Sequence, residues 1–231
     1  MKTLAEELQT KPFTLAMSSG FFGFFAHAGM LSALVESDLR PARIVGSSAG
    51  ALVGGCYAAG LSCPQIKELL FGLTRADFWD PRPGFGLLAG RRMDELLRVS
   101  LPAHTFDDLT VPFACSVWRL RTFRTEVIAD GDLPRALRAS AAFPGLFQPV
   151  RLQGSRYLDG GIADRPGFAP LVDGERTLYH HLAVSYLKAP SRPGVITLDL
   201  GEFPRLGPFR LEQGVEAWRI ARERTLRRLE S

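Results

Sequence analysis

Short apolar runs and longer amphipathic runs alternate along the first part of the chain. Phe13 to Met17, FTLAM, is apolar and bounded by Pro12 and a Ser-Ser-Gly turn, which predicts a buried first strand. Phe24 to Val35, FFAHAGMLSALV, follows with helical spacing that sets Phe25, Leu31, Leu34 and Val35 on or near one face. Ala42 to Val45 predicts a second strand. Ser48 to Ala59, SAGALVGGCYAA, predicts a helix of small residues, suited to burial because neighbouring backbones can come close. This strand, turn, helix order, repeated twice, argues for an α/β fold with a parallel sheet.

The pattern continues with an amphipathic helix over Cys63 to Leu73, started near Pro64. The Pro/Gly-rich DPRPGFGLLAGRR, Asp80 to Arg92, reads as a loop, and Met93 to Leu101 as a short helix. Val111 to Val117 and Thr122 to Ile128 read as strands, Pro134 to Ala141 as a helix, and Phe143 to Phe147 as a turn. Leu152 to Leu158 leads as a hairpin into Asp159-Gly160-Gly161. A late strand, Val195 to Leu200, precedes a terminal helix over about Leu211 to Leu229, with Leu211, Val215, Trp218, Leu226 and Leu229 along one side.

Composition narrows the function classes. At 231 residues and 46% hydrophobic content, the expectation is one domain over residues 1–231 with a sizeable core. No apolar segment reaches the ~18 residues needed to cross a bilayer. The opening MKTLAEELQTKPFTLAM places acids where the apolar centre of a signal peptide would lie. The formal charge is +4, from 28 basic against 24 acidic residues, but only the tail RIARERTLRRLES is dense in arginine. That balance suits contact with an anionic membrane. It lacks the basic stripe and interleaved aromatics of a nucleic-acid binder. The cysteines, Cys56, Cys63 and Cys115, are odd in number and have no metal-like spacing. Reduced thiols and a cytoplasmic setting, with peripheral membrane contact, are expected.

The candidate chemistry sits where the second strand meets the small-residue helix. Gly46-Ser47-Ser48-Ala49-Gly50 fits Gly-x-Ser-x-Gly with Ser48 at the centre. A serine on a sharp strand-to-helix turn has an exposed hydroxyl, needs small flanks, and lies beside a helix N-terminus that favours an oxyanion. Ser47 reads as a helix cap. The turn Ser18-Ser19-Gly20-Phe21-Phe22-Gly23 can present backbone N–H groups to an anion. It nearly matches a dinucleotide loop, but the second strand ends in Val45-Gly46 rather than the acid that reading needs. Of the histidines, His27 lies inside a helix and reads as packed or capping. His104 sits in a loop, and His180-His181 lies near a probable strand. Asp159, followed by Gly160 and Gly161, is a candidate base, although Asp-Gly is also an ordinary turn.

Gly20-Phe21-Phe22-Gly23, Gly46-Ser47-Ser48-Ala49-Gly50 and Asp159-Gly160-Gly161, in this order, resemble the patatin-like phospholipase family. RALRASAAFPGLFQPVRLQGSRYLDGG, Arg135 to Gly161, is similar to that family throughout, as are AHAGMLSAL and DGGIADRP, so the resemblance covers about Phe13 to Pro166. It implies a three-layer α/β/α fold and hydrolysis of lipid acyl esters by a Ser–Asp dyad without histidine, cofactor or metal. Ser48 would be the nucleophile and Asp159 the general base. Gly20, Phe21, Phe22 and Gly23 would form the oxyanion hole, and Gly46, Gly50, Gly160 and Gly161 would support the elbow and the acid. The same acyl-serine could serve an acyltransferase, and an inactive lipid-binding protein would keep the same fold.

The chain departs from the family in that turn. Ser18 and Ser19 stand where the family carries glycines, and Phe22 stands where it carries a cation. The lost cation and the added phenylalanines point to a general lipid esterase rather than a strict phospholipase, and Ser19 is where backbone strain is expected. The Asp80 to Arg92 loop, with Trp79 and Phe85, is the candidate lipid-facing element, and the terminal helix reads as packed rather than membrane-anchoring.

Overall fold

The computed structural model describes residues 2–182 and 189–231. α1 (Leu4–Gln9) starts on a capping box between Thr3 and Glu6. β1 (Thr14–Met17), α2 (Phe24–Glu36), β2 (Arg43–Ser47) and α3 (Ala49–Ala58) then follow in the expected order. α4 (Cys63–Gly72) begins at a Ser62–Gln65 capping box, with proline in its first turn. After it come β3 (Gly86–Leu88), α5 (Arg91–Ser100), β4 (Phe113–Arg119), β5 (Arg124–Ile128) and α6 (Leu133–Ser140). The chain continues through β6 (Gly145–Phe147), β7 (Val150–Leu152), β8 (Ser155–Asp159), β9 (Thr177–His181), β10 (Val195–Asp199) and α7 (Gly214–Leu229).

The main sheet runs β10-β9-β1-β2-β4-β8-β7, with β5 also on β4. β10, β9, β1, β2 and β4 are parallel, whereas β5 and β8 meet β4 antiparallel. This is the expected α/β architecture, a mostly parallel sheet flanked by helices. Successive strand residues point to opposite faces, so Leu15, Met17 and Ile44 join the helix-covered core. Ala16, Val45 and Tyr179 form a second cluster closed by Phe168 and Leu171 from the segment after Asp159. Buried Asp164 holds that segment. It accepts from the Ser116 hydroxyl and from the amides of Phe168 (2.9 Å) and Ala169 (2.8 Å).

Two expectations change. The Asp80 to Arg92 loop contains β3, and the Phe143 to Phe147 turn contains β6; the two pair in parallel, Gly86 with Gly145 and Leu88 with Phe147. A three-residue strand has no periodicity to read, and its partner lies far along the chain. In α7 the buried stripe is Ala217, Ala221, Thr225 and Leu229, while Val215 faces solvent. Small residues decide that face because α2 approaches closely: a Cβ on Gly29 would lie 2.9 Å from the Trp218 carbonyl carbon. Two of its arginines are ion-paired, Arg222 with Glu36 of α2 at 2.6 Å and Arg219 with Glu216 at 2.7 Å. The terminal helix is therefore packed, as expected. Among the described residues no helix is long and apolar enough to cross a membrane.

Strand register brings the ends of the fold together. β2 pairs with β4 as far as Ser47 opposite Ser116. β5 occupies the other edge of β4, so β8 pairs on the β2 edge, starting with Asp159 opposite Val117. Asp159 thus lies one β4 residue beyond Ser47, beside the turn into α3.

Candidate active site

Ser48 takes φ +53° and ψ −116°, between the last residue of β2 and the first of α3. Positive φ is costly for a residue with a Cβ and is held here by its surroundings. The Ser48 amide donates to Ser140 Oγ at 3.0 Å, and Ser140 Oγ donates to the Ser116 carbonyl at 2.8 Å. Ser140 is fully buried at the end of α6, so it ties the strained turn to β4. Sequence reading missed this residue; its only signal was its place within ASAAFPGLF. Ser140→Ala would remove the partner of the half-buried Ser48 amide and of the buried Ser116 carbonyl. It is expected to lower unfolding free energy by roughly 1–3 kcal/mol at unchanged denaturant slope in a urea titration.

The Ser48 hydroxyl donates to Asp159 Oδ2 at 2.6 Å. The other carboxylate oxygen, Oδ1, accepts from the Gly161 amide at 2.7 Å. Asp159 is only 3% exposed, and burial raises its pKa to about 6 against the opposing effect of those two hydrogen bonds. Backbone crowding explains the elbow glycines. A Cβ on Gly46 would lie 2.7 Å from the Gly50 carbonyl carbon, and one on Gly160 would lie 2.6 Å from that of Ser116. Gly161 is packed against the Ser19 side chain, where a Cβ would come within 2.7 Å of the Ser19 Cβ. Ser47 does not cap α3. It is fully buried, and its Oγ has no hydrogen-bond partner among the described residues.

The turn before α2 faces the same place. Gly20, Phe21 and Phe22 line one cavity with Ser48, Ala49 and Asp159. Among the described residues, no protein acceptor takes the amides of Gly20, Phe21 or Phe22, whereas the Gly23 amide closes the turn on the Gly20 carbonyl at 2.9 Å. Backbone strain falls on Phe22, at φ +57°, and not on Ser18 or Ser19. The two serines anchor the turn instead. Ser18 Oγ accepts from the Leu182 amide at 3.0 Å, and the Ser19 amide donates to the Arg165 carbonyl at 2.7 Å.

No histidine lines this cavity. His27 is packed behind the turn. Its Nε2–H donates to the Ser18 carbonyl at 2.8 Å, so its Nδ1 accepts from His180 Nδ1–H, also at 2.8 Å. Burial lowers the His27 pKa to about 4 and that of His180 well below its ordinary value. His181 meets the Tyr179 hydroxyl at 3.1 Å, and exposed His104 bonds the Arg98 carbonyl at 2.8 Å.

The cavity itself holds about 380 Å³ and is overwhelmingly apolar, walled by Leu52, Val53, Ile66, Leu70, Leu97 and Phe147 among others. Among the described residues its only cationic lining residue is Arg165. Trp79, directly before the Asp80 to Arg92 segment, packs against Phe209 at 5.5 Å between ring centres. An apolar cleft with one hydrogen-bonded Ser–Asp pair and a cluster of open amides can accommodate an apolar chain whose polar end meets the serine.

The patatin-like phospholipase family profile matches residues 15–172. Among curated relatives, an uncharacterised NTE family protein of Mycobacterium bovis is 31% identical over 162 residues, 68% of this chain and 45% of its own. Lysophospholipase nte1 of Emericella nidulans is 23% identical over 205 residues, 86% of this chain but 12% of its own. The chain thus spans less than half the length of these relatives. Among solved structures, VipD from Legionella pneumophila superposes with a TM-score of 0.72 at 15% identity, covering 94% of this chain and 66% of that one. The type III effector protein ExoU gives 0.50 at 18% identity, over 94% and 53%. With the family profile covering most of the sheet and both candidate dyad residues, this chain belongs to the patatin-like phospholipase family.

Proposed function

We propose that this chain hydrolyses carboxylic esters of lipids through an acyl-serine intermediate, with Ser48 as nucleophile and Asp159 as general base. The observation that carries the reading is the 2.6 Å hydrogen bond from Ser48 Oγ to a buried carboxylate at the wall of an apolar cavity. Ser48 Oγ would attack the ester carbonyl carbon while its proton passes to Asp159 Oδ2. The oxyanion would accept from the turn amides of Gly20, Phe21 and Phe22, and from the first amides of α3, which lack intrahelical acceptors. Gly23 contributes by closing that turn. Collapse would expel the alcohol, protonated by Asp159, and a water molecule would repeat the sequence to free the acid. No step uses a cofactor.

A fluorophosphonate probe tests the assignment. Wild-type protein should label, Ser48→Ala should not, and Asp159→Asn should label far more slowly. Labelling that survives Ser48→Ala would remove Ser48 as nucleophile, and an unreactive wild type would favour a lipid-binding protein without turnover. Products formed with added alcohol acceptors would reveal acyl transfer. The turn lacks the family's cation, so neutral and phosphate-bearing lipids should turn over at comparable rates. A strong preference for phospholipids would give the headgroup role to Arg165.

A further inference from the structure

We propose that the rim of the cavity and the small β3–β6 sheet form one docking surface for a lipid bilayer carrying anionic headgroups. Its purpose rests on the lipid-ester reading above; its geometry does not. Phe21, Phe143 and Ile162 line the cavity, yet are 51%, 47% and 43% exposed, so they ring its mouth. The Phe21 and Phe143 rings touch, with centres 5.4 Å apart. From Phe143 the chain enters β6, where Gly145 pairs with Gly86, between Phe85 (87% exposed) and Leu87 (49%). Isolated exposed apolar side chains are ordinary, but these follow one path from the cavity mouth to the tip of the small sheet.

The tip is held rather than loose. Gln148 Nε2 donates to the carbonyls of Arg82 (3.0 Å) and Pro83 (3.3 Å), and the Arg82 amide donates to the Leu87 carbonyl at 3.0 Å. Charge selects the occupant. Arg82 and Arg91 flank the apolar tip, are exposed, and form no ion pair among the described residues, whereas the Arg92 guanidinium turns back to donate to the Ala76 carbonyl at 2.7 Å. The single acid of the segment, Asp80, accepts from the amides of Gly90 (2.8 Å) and Arg91 (2.7 Å). Apolar side chains with flanking cations suit the boundary between acyl chains and anionic headgroups. A second copy of the chain would bring like charges face to face. Docked there, the cavity mouth opens onto the acyl layer, and an ester can enter it without crossing water.

Vesicle co-sedimentation tests the surface, using Ser48→Ala protein so that lipid is not consumed. Binding is expected to phosphatidylcholine vesicles and to strengthen with added phosphatidylserine. Phe85→Ser/Leu87→Ser should weaken binding at least about ten-fold, because each side chain loses its transfer into an apolar layer. Arg82→Gln and Arg91→Gln should each remove about five-fold, only with phosphatidylserine present. In the active background, Phe85→Ser/Leu87→Ser should turn over a soluble short-chain ester at the wild-type rate, which also shows that it folds. A Phe85→Trp variant should shift its emission to the blue on vesicles. Vesicle binding that ignores Phe85→Ser/Leu87→Ser, or a solution dimer which that variant dissociates, would overturn the proposal. Normal vesicle binding by a wild type that cleaves no ester would uphold the surface and sink the hydrolase reading.

Discussion

Asp159→Asn is expected to cut ester turnover by roughly 10⁴-fold while making the protein more stable at pH 8. The loss follows from the proton path: asparagine can still meet Ser48 Oγ but cannot take its proton. The gain follows from burial. Burial holds the carboxyl pKa at about 6 in the fold, against an ordinary 3.8. Between those values the folded state binds the extra proton, so stability falls as pH rises through the window and stays lower above it. The penalty is on the order of 3 kcal/mol at pH 8, and a neutral amide escapes it. The stability difference between variant and wild type should therefore be largest above pH 6 and vanish below about pH 4. Denaturant titrations at a series of pH values measure this. The same ionisation sets activity: wild-type kcat/KM should rise through about pH 6 and level off above. A variant no more stable than wild type, or an activity limb near pH 4, would contradict a desolvated general base.

The second large effect is expected at Gly50. Glycine inside a helix normally costs about 0.5–1 kcal/mol relative to alanine, so Gly50→Ala would help an isolated α3. In the fold, its added Cβ would sit 2.6 Å from the Met17 carbonyl carbon and 2.7 Å from the Met17 Cβ. Most of that obstruction is backbone at the end of β1, which cannot swing aside like a side-chain tip. The substitution should cost roughly 3 kcal/mol or more in unfolding free energy. It should also depress turnover, because separating α3 from β1 moves Ser48 away from the turn that follows Met17. Gly72→Ala is the control. Gly72 ends α4 with nothing within 4 Å of an added Cβ, so that change should be neutral or mildly stabilising. Equal effects at the two sites would show that crowding against Met17 is unimportant.

The residues proposed to carry ester turnover and its pH response differ in how legible they are in the sequence. Ser48 and Asp159 carried glycine signatures because close backbone approach excludes side chains beside them. Ser140 carried none, since one hydroxyl in an ordinary helix looks alike whether it faces solvent or a strained turn. Phe22 shows the same limit: the turn's strain was expected at Ser19, but local hydrogen bonding places the positive φ three residues later. The β3–β6 pair and the true buried face of α7 were hidden for related reasons. Each is set by a partner distant in the chain, and neither has enough periodic residues to announce it.

By itself, the sequence determined the alternation of strands and helices, the two candidate dyad residues and the family. Period, turn chemistry and glycine spacing are local properties of the chain. Only the tertiary structure decided that Asp159 reaches Ser48, that burial raises its pKa, and that the serines before Gly20 anchor the turn. Those outcomes depend on strand register across β4 and on exclusion of water, which arise once distant segments pack together.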